Sequence, residues 1–329
     1  MKVPALVTVL SVGLLALSAL GAHAQTAGSW PSKPVHLIVP FPAGGPTDIA
    51  ARTVGQALSA SMGVPFIIEN KPGGRGFAGT ADAARAQPDG YTLLVSSIGA
   101  MAINPRLYDK LPYDSNRDFA PVSLLVTVPI VVVVNPNVLP VDDVPSLVTF
   151  LRAHPGTVNF ASAGSGGSNH LVPEYFKFRT GTFMTHIPYQ GTAPAMNDLL
   201  AGNVHLMFDT LLNSTPFIKS GRLRLLAVTT AQRVPEFPDV PTVAEALGMK
   251  DFEASSWFAM YAPARTPADI VKRLSAEVAT ALKQPAVSRH LTELGAVPVG
   301  STAEQLGTFQ IAEQEKWGKV IQRAKIRPD

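Results

Sequence analysis

Short apolar segments alternate with amphipathic segments along most of the chain. Apolar runs rich in β-branched residues at 35–39, 66–68 and 91–96 are separated by stretches at 47–61 and 80–86, where apolar residues recur at helical spacing. This order predicts a βαβαβ unit, in which parallel strands form a sheet with helices on both faces.

The alternation restarts after a long apolar run at 124–134, which contains Pro129. This run is too short to span a membrane and is predicted to be a buried strand. Helices are then predicted at 144–153, from 169 and at 194–201, and strands at 158–161, 185–188, 204–208, 223–229 and 256–261. The pattern predicts a second α/β unit, with two crossings of the chain between units, near 126–131 and 255–259.

The last two long helices carry clear start signals. Thr266 and Pro267 have the residue types of an N-cap and a first helical position, and Ser301 to Glu304 has the form of a capping box. Both helices are interpreted as scaffold.

The first residues have the features of a secretory signal peptide. Lys2 precedes an uncharged apolar stretch at 5–20, and Ala22-His23-Ala24 is a small-residue cleavage site. We therefore expect residues 1–24 to be removed and the mature protein to be exported. Because no cysteine follows Ala24, no lipid anchor is expected.

Composition narrows the function further. The chain has 329 residues, of which 46% are hydrophobic and 16% charged, which is typical of a soluble globular protein of about two domains. The absence of cysteine excludes disulfides, thiolate metal sites and cysteine nucleophiles. A net charge of +3 from scattered residues argues against nucleic-acid binding. The histidines are far apart, so neither a metal site nor a cofactor is predicted.

A glycine-rich loop follows the first strand, at Pro40 to Asp48. Its glycines permit a tight turn, and Pro46 favours the start of a helix, so free N–H groups could meet a carboxylate or phosphate there. The simpler alternative is an ordinary turn into a helix, with Asp48 completing the cap.

A second glycine motif, Gly74 to Gly79, matches the dinucleotide pattern GxGxxG. The following strand ends in Ser96-Ser97, where a ribose-binding acid would be required. The motif is therefore interpreted as a turn, and Arg75 as a solvated charge.

The small-residue loop from Ala161 to His170 could supply several donors to an anion. It could also be a degenerate nucleophile elbow around Ser165, with Asp209 or Asp239 and then His290 completing a triad. The strict GxSxG pattern fails at Ala163. Asp209 follows a strand, where it is either a ligand contact or a helix cap.

Several motifs in order carry a specific resemblance. They are Trp30-Pro31-Ser32-Lys33-Pro34, Pro40 to Asp48, Glu69-Asn70-Lys71-Pro72-Gly73-Gly74, Asp89-Gly90-Tyr91-Thr92-Leu93, Pro188-Tyr189-Gln190-Gly191, Asp239-Val240-Pro241-Thr242 and Ala262 to Pro267. Together they resemble the Bug-type extracytoplasmic solute receptors, the substrate-binding proteins of tripartite tricarboxylate transporters. The resemblance covers essentially the whole mature chain.

The resemblance implies an α/β fold of the two-lobed periplasmic-binding-protein, or Venus flytrap, type, with two interlobe crossings. The expected organisation is a signal peptide at 1–24, lobe I at 25–128 and 256–329, and lobe II at 129–255. Lobe closure on a small carboxylate is expected. The implied ligand-binding residues are Pro42, Ala43, Gly44, Gly45, Asp48, Ser97, Ser162, Ala163, Gly164, Ser168, Tyr189, Gly191 and Asp209.

The function expected from this resemblance is a non-enzymatic periplasmic receptor, which delivers its carboxylate to the membrane subunits of such a transporter. A monomer is expected, without nucleic acid or cofactor. The alternative from a different class is a secreted serine hydrolase using Ser165 with His290.

Overall fold

The computed structural model describes residues 30–73 and 76–327. The predicted signal peptide, its cleavage site at Ala24, and Gly74 and Arg75 of the second glycine motif lie outside the described residues.

Strands and helices alternate along the described chain. The strands are β1 (Val35–Val39), β2 (Phe66–Asn70), β3 (Thr92–Ser97), β4 (Phe119–Val134), β5 (Asn159–Ser162), β6 (Thr185–Pro188), β7 (Leu206–Thr210), β8 (Arg224–Val228), β9 (Ser255–Pro263) and β10 (Val297–Pro298). The helices are α1 (Pro46–Met62), α2 (Phe77–Ala84), α3 (Asn104–Leu107), α4 (Val144–Ala153), α5 (Ser168–Thr180), α6 (Thr192–Ala201), α7 (Leu211–Lys219), α8 (Val243–Leu247), α9 (Ala268–Lys283), α10 (Pro285–Glu293) and α11 (Ala303–Ala324). A π-helical turn, Gly99–Ile103, precedes α3.

The predicted alternation is confirmed, with shifts of a few residues at the element ends. The longest shift is in β4, which begins at Phe119 although the apolar run begins at 124. Pro121 and Ser123 interrupt the hydrophobic pattern there, and the register with β9 shifts between them.

In the described residues, ten strands form one sheet. β1 lies between β2 and β3 and is parallel to both. β5 lies between β6 and β7 and is parallel to both. The antiparallel strands β4 and β9 join these groups. We call β1, β2, β3 and β9 the first half of the sheet, and β5 to β8 the second half.

One strand carries the chain from the first half to the second. Residues of β4 from Phe119 to Pro129 pair with β9, whereas those from Ile130 to Val134 pair with β7. The partner therefore changes directly after Pro129, inside the segment predicted to cross.

Both faces of the sheet are covered by helices, as the parallel strands require. Leu37 and Ile38 are neighbours in β1, point to opposite faces and are buried in different apolar cores. Leu37 lies in the core that includes Val54 of α1 and Val278 of α9, and Ile38 in the core that includes Trp317 of α11. No helix within the described residues is both long and apolar enough to span a membrane.

Candidate functional site

The carboxyl ends of the parallel strands open onto one cavity of about 720 Å³. Residues after β1 and β3 line it from the first half, and residues after β5 and β6, with the last two residues of β7, line it from the second. This is the edge where open α/β sheets bind ligands, because strand ends and helix starts meet there.

Most of the predicted ligand-binding residues line this cavity. Those that do are Pro42, Ala43, Gly45, Ser97, Ala163, Gly164, Ser168, Tyr189, Gly191 and Asp209. Gly44, Asp48 and Ser162 are not among the lining residues. Gly44 belongs to the first glycine-rich loop, and the side chains of Asp48 and Ser162 accept hydrogen bonds from Gly44 and Gly164 of the two loops.

Asp48 braces the first glycine-rich loop. Its side chain is 2% exposed and accepts hydrogen bonds from the Gly44 amide, Arg52 Nε and Asn70 Nδ2, each at 2.8 Å. Burial disfavours the charged carboxylate, but the hydrogen bonds from Arg52, Gly44 and Asn70 outweigh burial and lower the pKa of Asp48. Gly44 has a φ of +77°, which suits glycine, and the loop then leads into α1.

Ser162 braces the second glycine-rich loop in a similar way. Its buried Oγ accepts from the Gly164 amide at 3.1 Å and lies 2.6 Å from Nε2 of His186. Gly164 and Gly166 have φ values of +119° and +87°. The loop can therefore reverse direction twice before α5 begins at Ser168.

A third loop, after β6, brings Tyr189 and Gly191 to the cavity. The Tyr189 hydroxyl donates to Asp198 at 2.6 Å. Burial, followed by this hydrogen bond and the charge of Asp198, raises the pKa of Tyr189 to about 12. The phenol therefore stays neutral and fixes the loop against α6.

Of the described helices with ten or more residues, three begin at the cavity: α1, α5 and α6. The shorter helices α2, α3 and α7 also begin there. The N-caps of α1, α5 and α6 are glycines, Gly45, Gly167 and Gly191, and in the described part of the chain none of these N-termini has a side-chain cap. Away from the cavity, α4, α8 and α11 each have a capping box, whereas α9 and α10, within the described residues, also lack a side-chain cap. Uncapped N-termini present unpaired amides and about half a positive charge each, which favours an anion.

Asp209 is the one charged side chain among the described residues that line the cavity. It is 1% exposed, and its Oδ2 accepts from Asn213 Nδ2 at 2.6 Å and Ser214 Oγ at 2.8 Å. Burial raises its pKa, although the bonds from Asn213, Ser214 and the Thr210 backbone oppose the rise. The interpretation of Asp209 as a helix cap is wrong, because the N-cap of α7 is Thr210 and no side chain among the described residues caps this helix. Asp209 lines the cavity and holds the side chains of Asn213 and Ser214 in the first turns of α7.

Sequence reasoning missed several polar residues of the cavity wall. They are Thr47, Asn104, Asn169, Gln190, Thr192, Thr210 and Ser256. Thr47, Asn169 and Thr192 could have been found, because each lies in the first turn of a helix that follows a glycine loop. Asn104 and Ser256 carry no such signal, since only the sheet topology brings them to this edge.

The hydrolase constellation does not assemble. Ser165 lines the cavity, but His290 is exposed on α10, which packs against α1, α9 and β10. Asp239 lies in an exposed loop. Among the described residues, no group of three His, Cys, Asp or Glu side chains could hold a metal ion.

The described glycines of the second motif, Gly76 and Gly79, lie in a tightly packed turn. A Cβ on Gly79 would lie 2.6 Å from the Lys71 carbonyl oxygen, so a larger residue is excluded there. Gly76 has a φ of +86° and lines the cavity at the start of α2. This supports the interpretation of the motif as a turn.

The fold and the cavity define a class: a binding protein built from two α/β lobes, with a cavity between the strand ends of both halves of the sheet. The family model described as "Tripartite tricarboxylate transporter family receptor" matches residues 50–326. The chain belongs to this family, and the two-lobed fold expected from the sequence is confirmed.

Three solved structures are closely similar. Rpa4515 of R. palustris, solved with adipate, is 38% identical with a TM-score of 0.88, over 91% of this chain and 100% of that one. The periplasmic binding protein BugD is 35% identical with a TM-score of 0.86, over 91% and 100%. MatC of Rhodopseudomonas palustris, solved with malate, is 32% identical with a TM-score of 0.84, over 89% and 100%. These relatives are binding proteins, and the hydrolase alternative finds no support among them.

Proposed function

We propose that this protein captures a small carboxylate between its two lobes and presents it to the membrane subunits of a tripartite tricarboxylate transporter. The observation that carries the proposal is the meeting of three uncapped helix N-termini, from both halves of the sheet, at one cavity. A ligand carboxylate would supply the missing caps, and a ligand touching both lobes would favour the closed state.

The ligand class follows from the relatives. Rpa4515 was solved with adipate and MatC with malate, so dicarboxylates of four to six carbons are the first candidates for this chain. The proposed contacts are the lining residues of the three loops, with Gly44, Asp48 and Ser162 supporting them from behind.

The proposed lobe boundaries are those expected from the sequence: lobe I at 25–128 and 256–329, and lobe II at 129–255. The change of β4 pairing after Pro129 and the start of β9 at Ser255 support them. Two connections then join the lobes, one inside β4 and one directly before β9, as a hinge motion requires.

The protein acts in the periplasm after removal of residues 1–24, as a monomer without a cofactor and without catalysing a reaction. The family assignment and the periplasmic relative BugD support this location. The exposed position of His290, away from Ser165, supports the absence of hydrolysis.

A thermal-unfolding screen tests the proposal. The mature chain, unfolded and refolded to remove carried ligand, is screened against adipate, malate and other small carboxylates beside their neutral amides. A ligand at 100 times its Kd stabilises by about 2.7 kcal/mol. Carboxylates are expected to raise the Tm and amides to leave it unchanged. Equal shifts from an acid and its amide, or no shift from any acid, would contradict an anion receptor.

A further inference from the structure

Two histidines lie stacked behind the second glycine-rich loop. The rings of His186 on β6 and His170 on α5 have centroids 4.2 Å apart and planes 16° apart. His186 also stacks on Phe160 of β5, at 4.8 Å and 16°. Neither histidine is among the described residues that line the cavity. Any effect of these rings on a ligand therefore passes through the loop.

Each histidine is connected to the loop by hydrogen bonds. The Gly166 amide donates to Nδ1 of His170 at 3.2 Å. The Gly164 amide donates to Ser162 Oγ, which lies 2.6 Å from Nε2 of His186. Gly164 and Gly166 both line the cavity, so the histidines hold alternate amides of the segment that forms its wall.

One of these bonds requires a defined state of its ring. Nδ1 of His170 accepts a hydrogen bond from the Gly166 amide only when it carries no proton, so that ring is neutral with its proton on Nε2. Ser162 Oγ accepts from Gly164 and keeps a second lone pair, so the Ser162–His186 contact is compatible with either direction of donation. A neutral His186 with its proton on Nδ1, which accepts the Ser162 proton at Nε2, belongs to the proposal that follows.

We propose that His170 and His186 are positioning residues of the ligand site: as a neutral stacked pair they hold the Gly164 and Gly166 amides and so fix the loop that lines the cavity. This inference rests on the proposed function, because it assigns the loop to ligand binding. Neither histidine is identified by the glycine motifs of the sequence or by the residues that line the cavity.

Protonation would break this arrangement. Below about pH 6.5 a histidine takes up a proton, and a proton on Nδ1 of His170 would face the Gly166 N–H instead of accepting from it. Two stacked imidazolium rings would also repel each other.

The charged groups on the described elements packed against the pair include Arg179 of α5, which pairs with Asp251 at 2.7 Å. On α5, Glu174 and Lys177 pair with each other at 2.7 Å, and Lys177 Nζ lies 5.6 Å from the Phe160 ring. β5 has no ionisable residue, and β7 contributes Asp209. On α11, which packs against α5, Glu313 pairs with Lys316 at 3.6 Å. Asp209 is the group whose own titration must be separated from that of the histidines.

The first experiment needs no ligand. In the refolded mature chain labelled with ¹⁵N-glycine and ¹⁵N-histidine, the ring nitrogens are expected to report Nε2–H for His170 and Nδ1–H for His186 at pH 7.5. Between pH 7.5 and 5.5 the exchange protection factors of the Gly164 and Gly166 amides are expected to fall about tenfold, while that of Gly307 on α11 stays constant. Opposite tautomers, or protection that does not change, would overturn the proposal.

The second experiment uses matched variants and adipate binding by calorimetry. His170→Asn and His186→Gln place an acceptor near Nδ1 and Nε2 respectively but do not titrate, whereas His170→Leu and His186→Leu remove the acceptor. The Asn/Gln double variant is expected to bind adipate within about threefold of wild type at pH 7.5, and each Leu variant about tenfold more weakly.

The pH profile separates positioning from packing. Wild type is expected to lose about tenfold more affinity for adipate than the Asn/Gln variant between pH 7.5 and 5.5. Any pH dependence of affinity that remains in the Asn/Gln variant is attributed to protonation of adipate itself or of Asp209. Equal profiles, or Leu variants that bind like wild type, would overturn the proposal. If wild type binds no carboxylate, the proposed function fails, and the exchange experiment still decides the positioning role.

Discussion

Asp48 and Ser162 stabilise the cavity wall without belonging to it. Each accepts a hydrogen bond from a glycine amide of its loop, Gly44 and Gly164 respectively. The sequence places them correctly beside the glycine motifs, but it does not distinguish a brace from a ligand contact. That distinction depends on distant partners, such as Asn70 for Asp48 and His186 for Ser162.

Replacing Asp48 by asparagine tests the brace. Asp48→Asn keeps the shape and loses the charge-assisted bonds from Arg52, so the free energy of unfolding at pH 7 is expected to fall by roughly 1–3 kcal/mol. The folded-state pKa of Asp48 lies below the unfolded value of about 3.9, so its contribution is complete above that value and is lost as pH falls through the folded pKa.

Urea denaturation between pH 7 and pH 3 measures this difference. The gap between wild type and Asp48→Asn is expected to narrow below about pH 4. Asp142→Asn is the control, because it removes the charge of an 88% exposed carboxylate that pairs with Arg224. The free energy of unfolding is expected to change little at either pH. A gap that stays constant with pH would argue against the carboxylate as the stabilising group.

At the scale of elements, start signals in the sequence locate helices to within a residue. The capping box expected at Ser301 is formed by the next residue, Thr302, whose Oγ1 accepts from the Gln305 amide at 3.2 Å. Ser301 is occupied otherwise, because its Oγ accepts from the Leu124 amide of β4 at 2.9 Å. Both residues have an acid or amide three positions later, so the local sequence allows either one to cap α11. The contact of Ser301 with β4 decides that Thr302 is the cap.

Thr302→Ala is expected to lower the free energy of unfolding by about 1 kcal/mol, because the first turn of α11 loses its cap. Binding of adipate, or of whichever carboxylate the screen identifies, is expected to stay unchanged, since α11 begins away from the cavity. Thr280→Ala, an exposed position inside α9, is the matched control and should be neutral or slightly stabilising. A loss of affinity in Thr302→Ala without loss of stability would contradict a purely structural cap.

The elements that the sequence does not predict are short or interrupted. α3 has 4 residues, and α7 contains Pro216 in a helix of 9 residues. The π-helical turn Gly99–Ile103 follows β3 directly and is entirely buried. Its apolar composition is equally compatible with a strand, so helical periodicity gives no signal at this length.

At the scale of the whole molecule, the two crossings follow from the pattern of apolar runs, but the close contact between the halves does not. Glycines lie where the halves meet, namely Gly99 from the first half and Gly166, Gly167 and Gly191 from the second. A Cβ on Gly191 would lie 2.8 Å from Pro42, and a Cβ on Gly99 would lie 3.2 Å from the Gly166 oxygen and 3.4 Å from Gly167 Cα. Residues distant in sequence set these contacts, so glycine spacing does not indicate them.

Gly99→Ala tests whether this contact controls closure. Gly99 does not need a positive φ, so alanine fits its backbone, and the added methyl group acts only as a wedge against Gly166 and Gly167. Overpacking of this kind costs about 1–3 kcal/mol, which predicts an affinity for the screened carboxylate about tenfold weaker, with ligand-free stability little changed. Gly307→Ala on α11 is the control. Its methyl group would lie 3.7 Å from Pro121, which is an ordinary contact. The free energy of unfolding should therefore rise by about 0.5–1 kcal/mol, and the affinity for the carboxylate should not change. Calorimetry gives the affinities, and small-angle scattering with and without ligand reports closure. If Gly99→Ala closes and binds like wild type, the second loop moves to accommodate the methyl group, and the glycine contact does not limit closure.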